Sequence, residues 1–501
     1  MRPGAPVRHN PRAMDIVFVT PEVVPFSKVG GLADVSAALP KALRALGHKV
    51  TVVSLLYGSI DVGAHALARR LTKVKFPLAG EAVSLDVYEA RLPSGVTVVL
   101  LGGPRVSDRP GVYGEKGEAY ADNHLRFGML CRGAIEWMRA QSRLPDVVHV
   151  HDWATALLPV MLDHLKEEDA RLAEVKTVLT IHNLAHQGAF PLETLEAVGL
   201  PASYGSVKEM EFYGQASWLK GGIVHATRLT TVSNTYAREI ATPDGGARMD
   251  GVLRARGDLV GILNGVDPAV WNPSTDPSLI ARYDAEGVAN KARCKADLQQ
   301  RLELPVRPDT PVFGMVARME SQKGVDLLAA CAPALLRQDV QVVVQGSGSP
   351  AIMEAMAELA RAMPDKVAYR SDFDDALAHR IYAGSDFFLV PSRFEPCGLA
   401  QMYAMRYGTV PVVRATGGLR DTVVDCDPEL ATGTGFLFEE ATGDGLYAAA
   451  SRAITAFSRR AAFAKLVRRV MRGDWSWDRS ARRYQSVYQS TLPAAAERAA
   501  G

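Results

Sequence analysis

At 501 residues the chain is too long for one ordinary hydrophobic core and is expected to hold two large domains or three smaller ones. Apolar residues at 48% and charged residues at 22% are the balance of a globular enzyme, and a formal net charge of +2 without a dense Lys/Arg cluster excludes the field that nucleic acid or an anionic membrane requires. Five scattered cysteines, Cys131, Cys294, Cys331, Cys397 and Cys426, form no C-x-x-C pair, which argues against a disulfide framework or zinc site and for a reducing cytoplasm.

Residues 1–13 carry Pro3, Pro6 and Pro11 with three arginines but no apolar stretch of signal-peptide length, and read as a disordered tail. No later stretch approaches a membrane span. From there short β-rich runs alternate with helical patterns, the signature of βαβ units and parallel sheets. Strands are predicted at Ile16–Thr20, Val50–Leu55, Val96–Leu101, Val147–Val150, Val178–Ile181, Leu229–Val232 and Val260–Leu263. The turn-rich stretch Asn264-Gly-Val-Asp-Pro-Ala-Val-Trp-Asn-Pro273 then interrupts the pattern, and a second series follows at Val312–Val316, Val340–Gln345, Phe387–Val390, Thr409–Val413 and Gly435–Phe438. This predicts an N-terminal domain over 14–264, a C-terminal domain over 265–480, and a final helical segment, 481–501, that packs back across the hinge through Tyr484 and Tyr488. The fold class is α/β: two doubly wound, Rossmann-like domains facing each other across a cleft.

Ligands in such folds bind beyond the carboxyl ends of the strands, and six loops there carry chemistry. Lys28-Val29-Gly30-Gly31 enters a helix that runs through Leu43. Its paired glycines, free amides and cation suit a diphosphate, although Gly-Gly at such a turn is as often only structural, and the motif is neither Walker A nor G-x-G-x-x-G. His151-Asp152-Trp153 and His182-Asn183 end neighbouring strands and suit a polar sugar pocket, with buried structural histidines as the alternative. Tyr213 and Trp218 belong either to an acceptor groove or to the core. Arg318 and Lys323 could neutralise a departing nucleoside diphosphate or could line a solvated loop, and Thr416-Gly417-Gly418 repeats the cradle pattern. Glu395 follows the strand Phe387–Val390 inside Pro391-Ser-Arg-Phe-Glu-Pro-Cys-Gly-Leu399, where the amides of Cys397, Gly398 and Leu399 open a helix. It is either a capping residue or a carboxylate set for chemistry. The Asp-x-Asp spellings Asp372-Phe-Asp374 and Asp425-Cys-Asp427 do not follow a predicted buried strand and read as loop or helix-end carboxylates. No metal or other cofactor is therefore expected, and charge neutralisation falls to Lys28, Arg318 and Lys323.

In this order the motifs Lys28-Val-Gly-Gly-Leu, His151-Asp-Trp, Asn183-Leu-Ala-His-Gln-Gly188, Thr231-Val-Ser-x-x-Tyr-Ala-Arg-Glu, Asn264-Gly-Val-Asp, Ser321-Gln-Lys-Gly, Ser392-Arg-Phe-Glu-Pro-Cys-Gly-Leu399 and Thr416-Gly-Gly-Leu resemble the bacterial glycogen and plant starch synthases, retaining glycosyltransferases of the GT-B fold, from about Met14 to Tyr484. The resemblance implies transfer of glucose from ADP-glucose to the non-reducing end of an α-1,4-glucan in glycogen biosynthesis. UDP-glucose as donor, or a different acceptor, is the alternative. By the same resemblance Lys28, Gly30, Gly31, Asp34, Asn264, Phe373, Cys397, Gly398, Leu399, Thr416, Gly417 and Gly418 would meet the donor, with Phe373 against the base. Glu395, Lys323, Arg318 and His151 would be catalytic, and Asp152, Trp153, His182 and Asn183 would line the acceptor pocket. Val29 stands where many relatives have Thr, and Tyr403 where related retaining enzymes carry a second Glu.

Overall fold

The computed structural model describes residues 12–372 and 374–493. They divide into two compact units. One holds the described residues up to Thr230, Ile240–Val260 and those from Asp478 onward; the other holds Thr231–Glu239 and Gly261–Trp477.

The first unit is built on a ten-stranded sheet of β1 (Asp15–Val19), β2 (Lys49–Leu55), β3 (Ala68–Arg69), β4 (Val74–Leu78), β5 (Glu81–Arg91), β6 (Thr97–Gly102), β7 (Val147–His151), β8 (Lys176–Ile181), β9 (Arg228–Thr231) and β10 (Leu259–Gly261). Their order is β10-β9-β8-β7-β1-β2-β6-β5-β3, with β4 paired to β5. Strands β1, β2, β6, β7 and β8 are buried almost throughout, as strands covered on both faces must be. Register sets Ile16 beside both Val50 and Val147, so β1 runs between β2 and β7 and their following loops emerge at one edge. The edge strands β3, β4 and β5 pair antiparallel and were not foreseen. These runs, from two to eleven residues long, are only partly buried and lack the continuous apolar signal of the parallel strands. The last helix starts at Trp477, four residues before the sequence boundary, and is fastened within this unit. Tyr488 O–H bonds His149 Nδ1 at 2.8 Å, and Gln485 Nε2 lies 3.0 Å from His48 Nε2.

The second unit carries a six-stranded sheet of β11 (Val312–Val316), β12 (Gln341–Gln345), β13 (Val367–Arg370), β14 (Phe387–Val390), β15 (Val410–Arg414) and β16 (Phe436–Phe438), ordered β13-β12-β11-β14-β15-β16. Among the described residues its strand pairings are all parallel, with Phe313 beside Phe387 and Val390 beside Val413. Order reverses at β11, and the loops after β11 and β14 flank that switch point, where α/β sheets bind ligands. The segment Thr231–Glu239, read from the sequence as part of the first domain, packs within this unit. Ser233 Oγ donates to Pro396 O at 2.6 Å, and Thr235 N–H and Oγ1 bond the Asp421 carboxylate at 3.0 and 2.5 Å.

Candidate functional site

In the second unit the loop after β14 folds over the loop after β11. Gly324 sits at φ +67°, and a Cβ there would lie 2.0 Å from Pro391 O, so only glycine permits the approach. That approach brings Lys323 to Glu395: Nζ is 2.6 Å from Oε2, which also accepts the Ser392 hydroxyl at 2.9 Å. The two side chains keep only 21% and 10% of their surface, so the pair is largely shielded from solvent. With Gly398, Leu399 and Ala400 they line a cavity of about 60 Å³ at the strand ends. Cys397 is buried, and burial pushes its thiol up to about 12, so it stays protonated and unreactive.

Thr416, Gly417 and Gly418 lie against the same loop. The Gly418 N–H donates to Glu395 O at 3.0 Å, and a Cβ on Gly417 would meet that carbonyl at 2.1 Å. The Gly417 N–H and the Thr416 hydroxyl are bonded to Glu239 at 2.9 and 3.2 Å. Asn264 is buried and its Oδ1 has no hydrogen-bond partner among the described residues. Arg318 is half-exposed and pairs with Glu320 at 2.9 Å, apart from the Lys323–Glu395 pair. Phe373 lies outside the described residues. Tyr403 stacks on Trp271 at 3.9 Å between ring centroids, where the indole is also covered by His379 at 4.1 Å.

Of the two carboxylate pairs only the first follows a strand. Asp372 follows the strand β13, which the sequence reading missed, while Asp374 caps the next helix by accepting the Leu377 N–H at 3.1 Å. Asp425 pairs with Arg452, and Asp427 is held down to about 2 by the Thr432 side chain and the backbone amides of its turn. Among the described residues no cluster of three or more His, Cys, Asp or Glu side chains is gathered as a metal site needs.

In the first unit, adjacent strands β1, β7 and β8 bring the remaining predicted residues to one sheet edge. His151 is fully buried; its Nδ1 faces His182 Nε2 at 3.1 Å, its Nε2 has no hydrogen-bond partner among the described residues, and its ring stacks on Phe18. Burial holds His151 well below the usual imidazole range and His182 at about 3, so both are neutral at pH 7. Asp152, at φ +53°, spends its Oδ1 on the N–H groups of His182 and Asn183 at 2.7 and 3.2 Å, and burial raises its carboxyl to about 7. Through that oxygen it ties two loops together. Trp153 stands edge-on to Phe127 and joins Tyr113 and Phe190 in a half-buried aromatic wall, with Trp218 fully buried behind it. Tyr213 is 69% exposed and belongs to neither the core nor this wall. Asn183 Oδ1 accepts the Ala185 N–H at 3.0 Å.

Lys28 is half-exposed and bonds Asp34 at 2.9 Å at the start of the helix Gly31–Ala45. Two residues were passed over by the sequence reading. Glu22, 3% exposed, accepts the Val29 and Gly30 N–H groups at 2.6 and 2.9 Å, and Tyr113 donates its hydroxyl to the same carboxylate at 2.8 Å. Glu22 stood in view three residues past β1. Tyr113 comes from a distant loop, and no local signal announces it.

Residues 15–255 match the family model described as starch synthase catalytic domain, and residues 310–456 match that of glycosyl transferases group 1. The chain is 50% identical over 482 residues to a glycogen synthase of Anaeromyxobacter dehalogenans (strain 2CP-1), covering 96% of this chain and all of that one. It is 42% identical over 480 residues to a glycogen synthase of Geotalea daltonii, covering 96% and 99%. Among solved structures, the catalytic domain of Starch Synthase IV from Arabidopsis thaliana bound to ADP and acarbose superposes with a TM-score of 0.89 at 32% identity, covering 96% of this chain and 99% of that one. A sucrose-phosphate synthase from Thermosynechococcus elongatus, at TM-score 0.60 and 16% identity over 96% and 99%, shares the fold alone.

Proposed function

The chain belongs to the glycogen and starch synthase family of GT-B glycosyltransferases, and on that premise we propose that it transfers glucose from ADP-glucose to the non-reducing end of an α-1,4-glucan with retention at the anomeric carbon. The observation that carries the reading is the shielded Lys323–Glu395 pair at the switch point of the second sheet. A lysine ammonium has three N–H donors; one is spent on Glu395, and two remain for the oxygens of a departing diphosphate. Arg318 can add a second cation, because an exposed pair such as Arg318–Glu320 costs little to exchange.

Glu395 is the one carboxylate lining its cavity among the described residues, so a double displacement through an enzyme ester with a second carboxylate as acid/base has no support there. The route that fits is same-face attack. The bond from C1 to the phosphate oxygen breaks, the acceptor hydroxyl oxygen bonds C1 on the same face, and its proton passes to the leaving diphosphate, giving ADP. Glu395 stabilises the positive charge that develops at C1. In the first unit the unpartnered Nε2 of neutral His151 is free to bond a sugar hydroxyl, and the Trp153 wall suits the apolar face of a glucan ring. Val29 in place of Thr leaves the backbone role untouched, since its N–H, not its exposed side chain, engages Glu22.

Purified protein incubated with labelled ADP-glucose and glycogen should place label in insoluble glucan, with kcat/KM higher for ADP-glucose than for UDP-glucose. Transfer only from UDP-glucose would overturn the donor, and label only in soluble disaccharide would overturn the acceptor.

A further inference from the structure

Both Gly-Gly loops with the pattern of a phosphate cradle already hold an anion of their own chain. In the first unit the Glu22 carboxylate takes the N–H groups of Val29 and Gly30, with the Tyr113 hydroxyl on its other oxygen. In the second, Glu239 takes the Gly417 N–H and the Thr416 hydroxyl. The same construction arises twice on unrelated segments.

At 3% exposure, Glu22 is tolerable because three donors replace its lost water. Withdrawing it to offer Val29 and Gly30 to a phosphate would strand a buried carboxylate on Tyr113 alone, and the ligand would have to supply that cost. These two amides are therefore committed to the protein. In the first turn of the helix Gly31–Ala45 the Ala33 N–H is taken by Gly30 O at 3.3 Å, whereas helix geometry gives the N–H groups of Gly31 and Leu32 no i−4 carbonyl, and Gly31 is exposed beside Lys28.

We propose that Glu22 is a positioning residue for the nucleotide-sugar donor: a resident carboxylate that locks Val29 and Gly30, so that the Gly31 N–H and the Lys28 ammonium are the groups that meet the diphosphate. Glu239 holds the Thr416–Gly417 turn in the same way. The inference rests on the donor reading above and narrows it, since it removes the Val29 and Gly30 amides from the contact set. It also sets a sign. A locking carboxylate aids donor binding, whereas one that competes for the diphosphate would hinder it.

The test uses the full chain with Glu22→Gln, which removes the charge and leaves one acceptor oxygen where the carboxylate offers two. The expected result is a KM for ADP-glucose raised about tenfold, with kcat at saturating donor and the KM for glycogen each changed less than about twofold. Glu22→Asp and Tyr113→Phe should move the donor KM the same way by less. Backbone hydrogen exchange without nucleotide should speed up over residues 28–31 in Glu22→Gln. A donor KM that stays put or falls, or unchanged exchange in that segment, overturns the proposal. Absence of transfer from ADP-glucose by the unmodified enzyme would count against the donor reading instead, and the exchange measurement would still decide the role of Glu22.

Discussion

Replacing Lys323 with alanine should separate the chemistry from the scaffold. At 2.6 Å the attraction between Lys323 and Glu395 is about 6 kcal/mol gross at an effective dielectric near 20, most of it offset by taking both charges out of water. The alanine leaves Glu395, with 10% of its side chain exposed, on the Ser392 hydroxyl alone, and breaking a buried pair from one side typically costs about 3–5 kcal/mol of stability. In the reaction the same change removes a preorganised cation at a leaving group, worth about 10²–10³ in kcat, or about 2.7–4 kcal/mol of transition-state stabilisation. The two losses part company in Lys323→Ala combined with Glu395→Gln: neutralising the stranded carboxylate should recover much of the thermal midpoint and none of the turnover. Assay is by initial rates of glucan labelling at saturating ADP-glucose alongside calorimetric unfolding. A kcat within about threefold of the parent in Lys323→Ala would remove the lysine from the mechanism, and recovery of turnover in the double variant would refute the role of the pair.

Gly324→Ala should lose at least about 2 kcal/mol and most activity, because the new methyl meets Pro391 O at 2.0 Å and forces apart the loops that carry Lys323 and Glu395. Gly199→Ala, also at positive φ but with nothing within 4 Å, should cost only the conformational penalty of about 1–2 kcal/mol, and equal losses in urea melts would refute the packing argument. His182, depressed to about 3 by burial, binds fewer protons folded than unfolded, so its contribution to stability is complete above pH 6.5 and drains away as pH falls toward 3. His182→Gln should flatten the pH dependence of the unfolding midpoint across that window; an unchanged slope would show that the imidazole protonates freely in the native state. Asp152, raised to about 7, has the opposite sign, and its destabilising charge develops as pH rises from about 4 to 7. Asp152→Asn should therefore gain relative to the parent over that range while keeping both backbone bonds, as read from thermal melts at pH 4 and pH 8.

The amino-acid sequence was enough to determine the alternation of strands and helices and the strand-end loops that carry the candidate groups. Parallel strands buried on both faces must be continuous apolar runs, and the residues that interrupt them are the ones that meet a ligand. The strand-end positions of Glu395, Lys323 and His151 were legible for that reason. The antiparallel edge β3–β5 was not, because its alternating residues carry no such signal. Neither was the strand ahead of Asp372, whose outer half is only partly buried. Which groups are left for a substrate is a matter of hydrogen-bond partners, and those are chosen in space. Asp152 is spent on two amides across neighbouring strands, Glu239 on the Thr416–Gly417 turn far along the chain, and Glu22 on the loop that a reading of glycines alone would leave open to phosphate. Local sequence sets what each loop can bind; only the tertiary structure decided what it already holds, because a buried donor or acceptor must be satisfied by whatever the fold brings beside it.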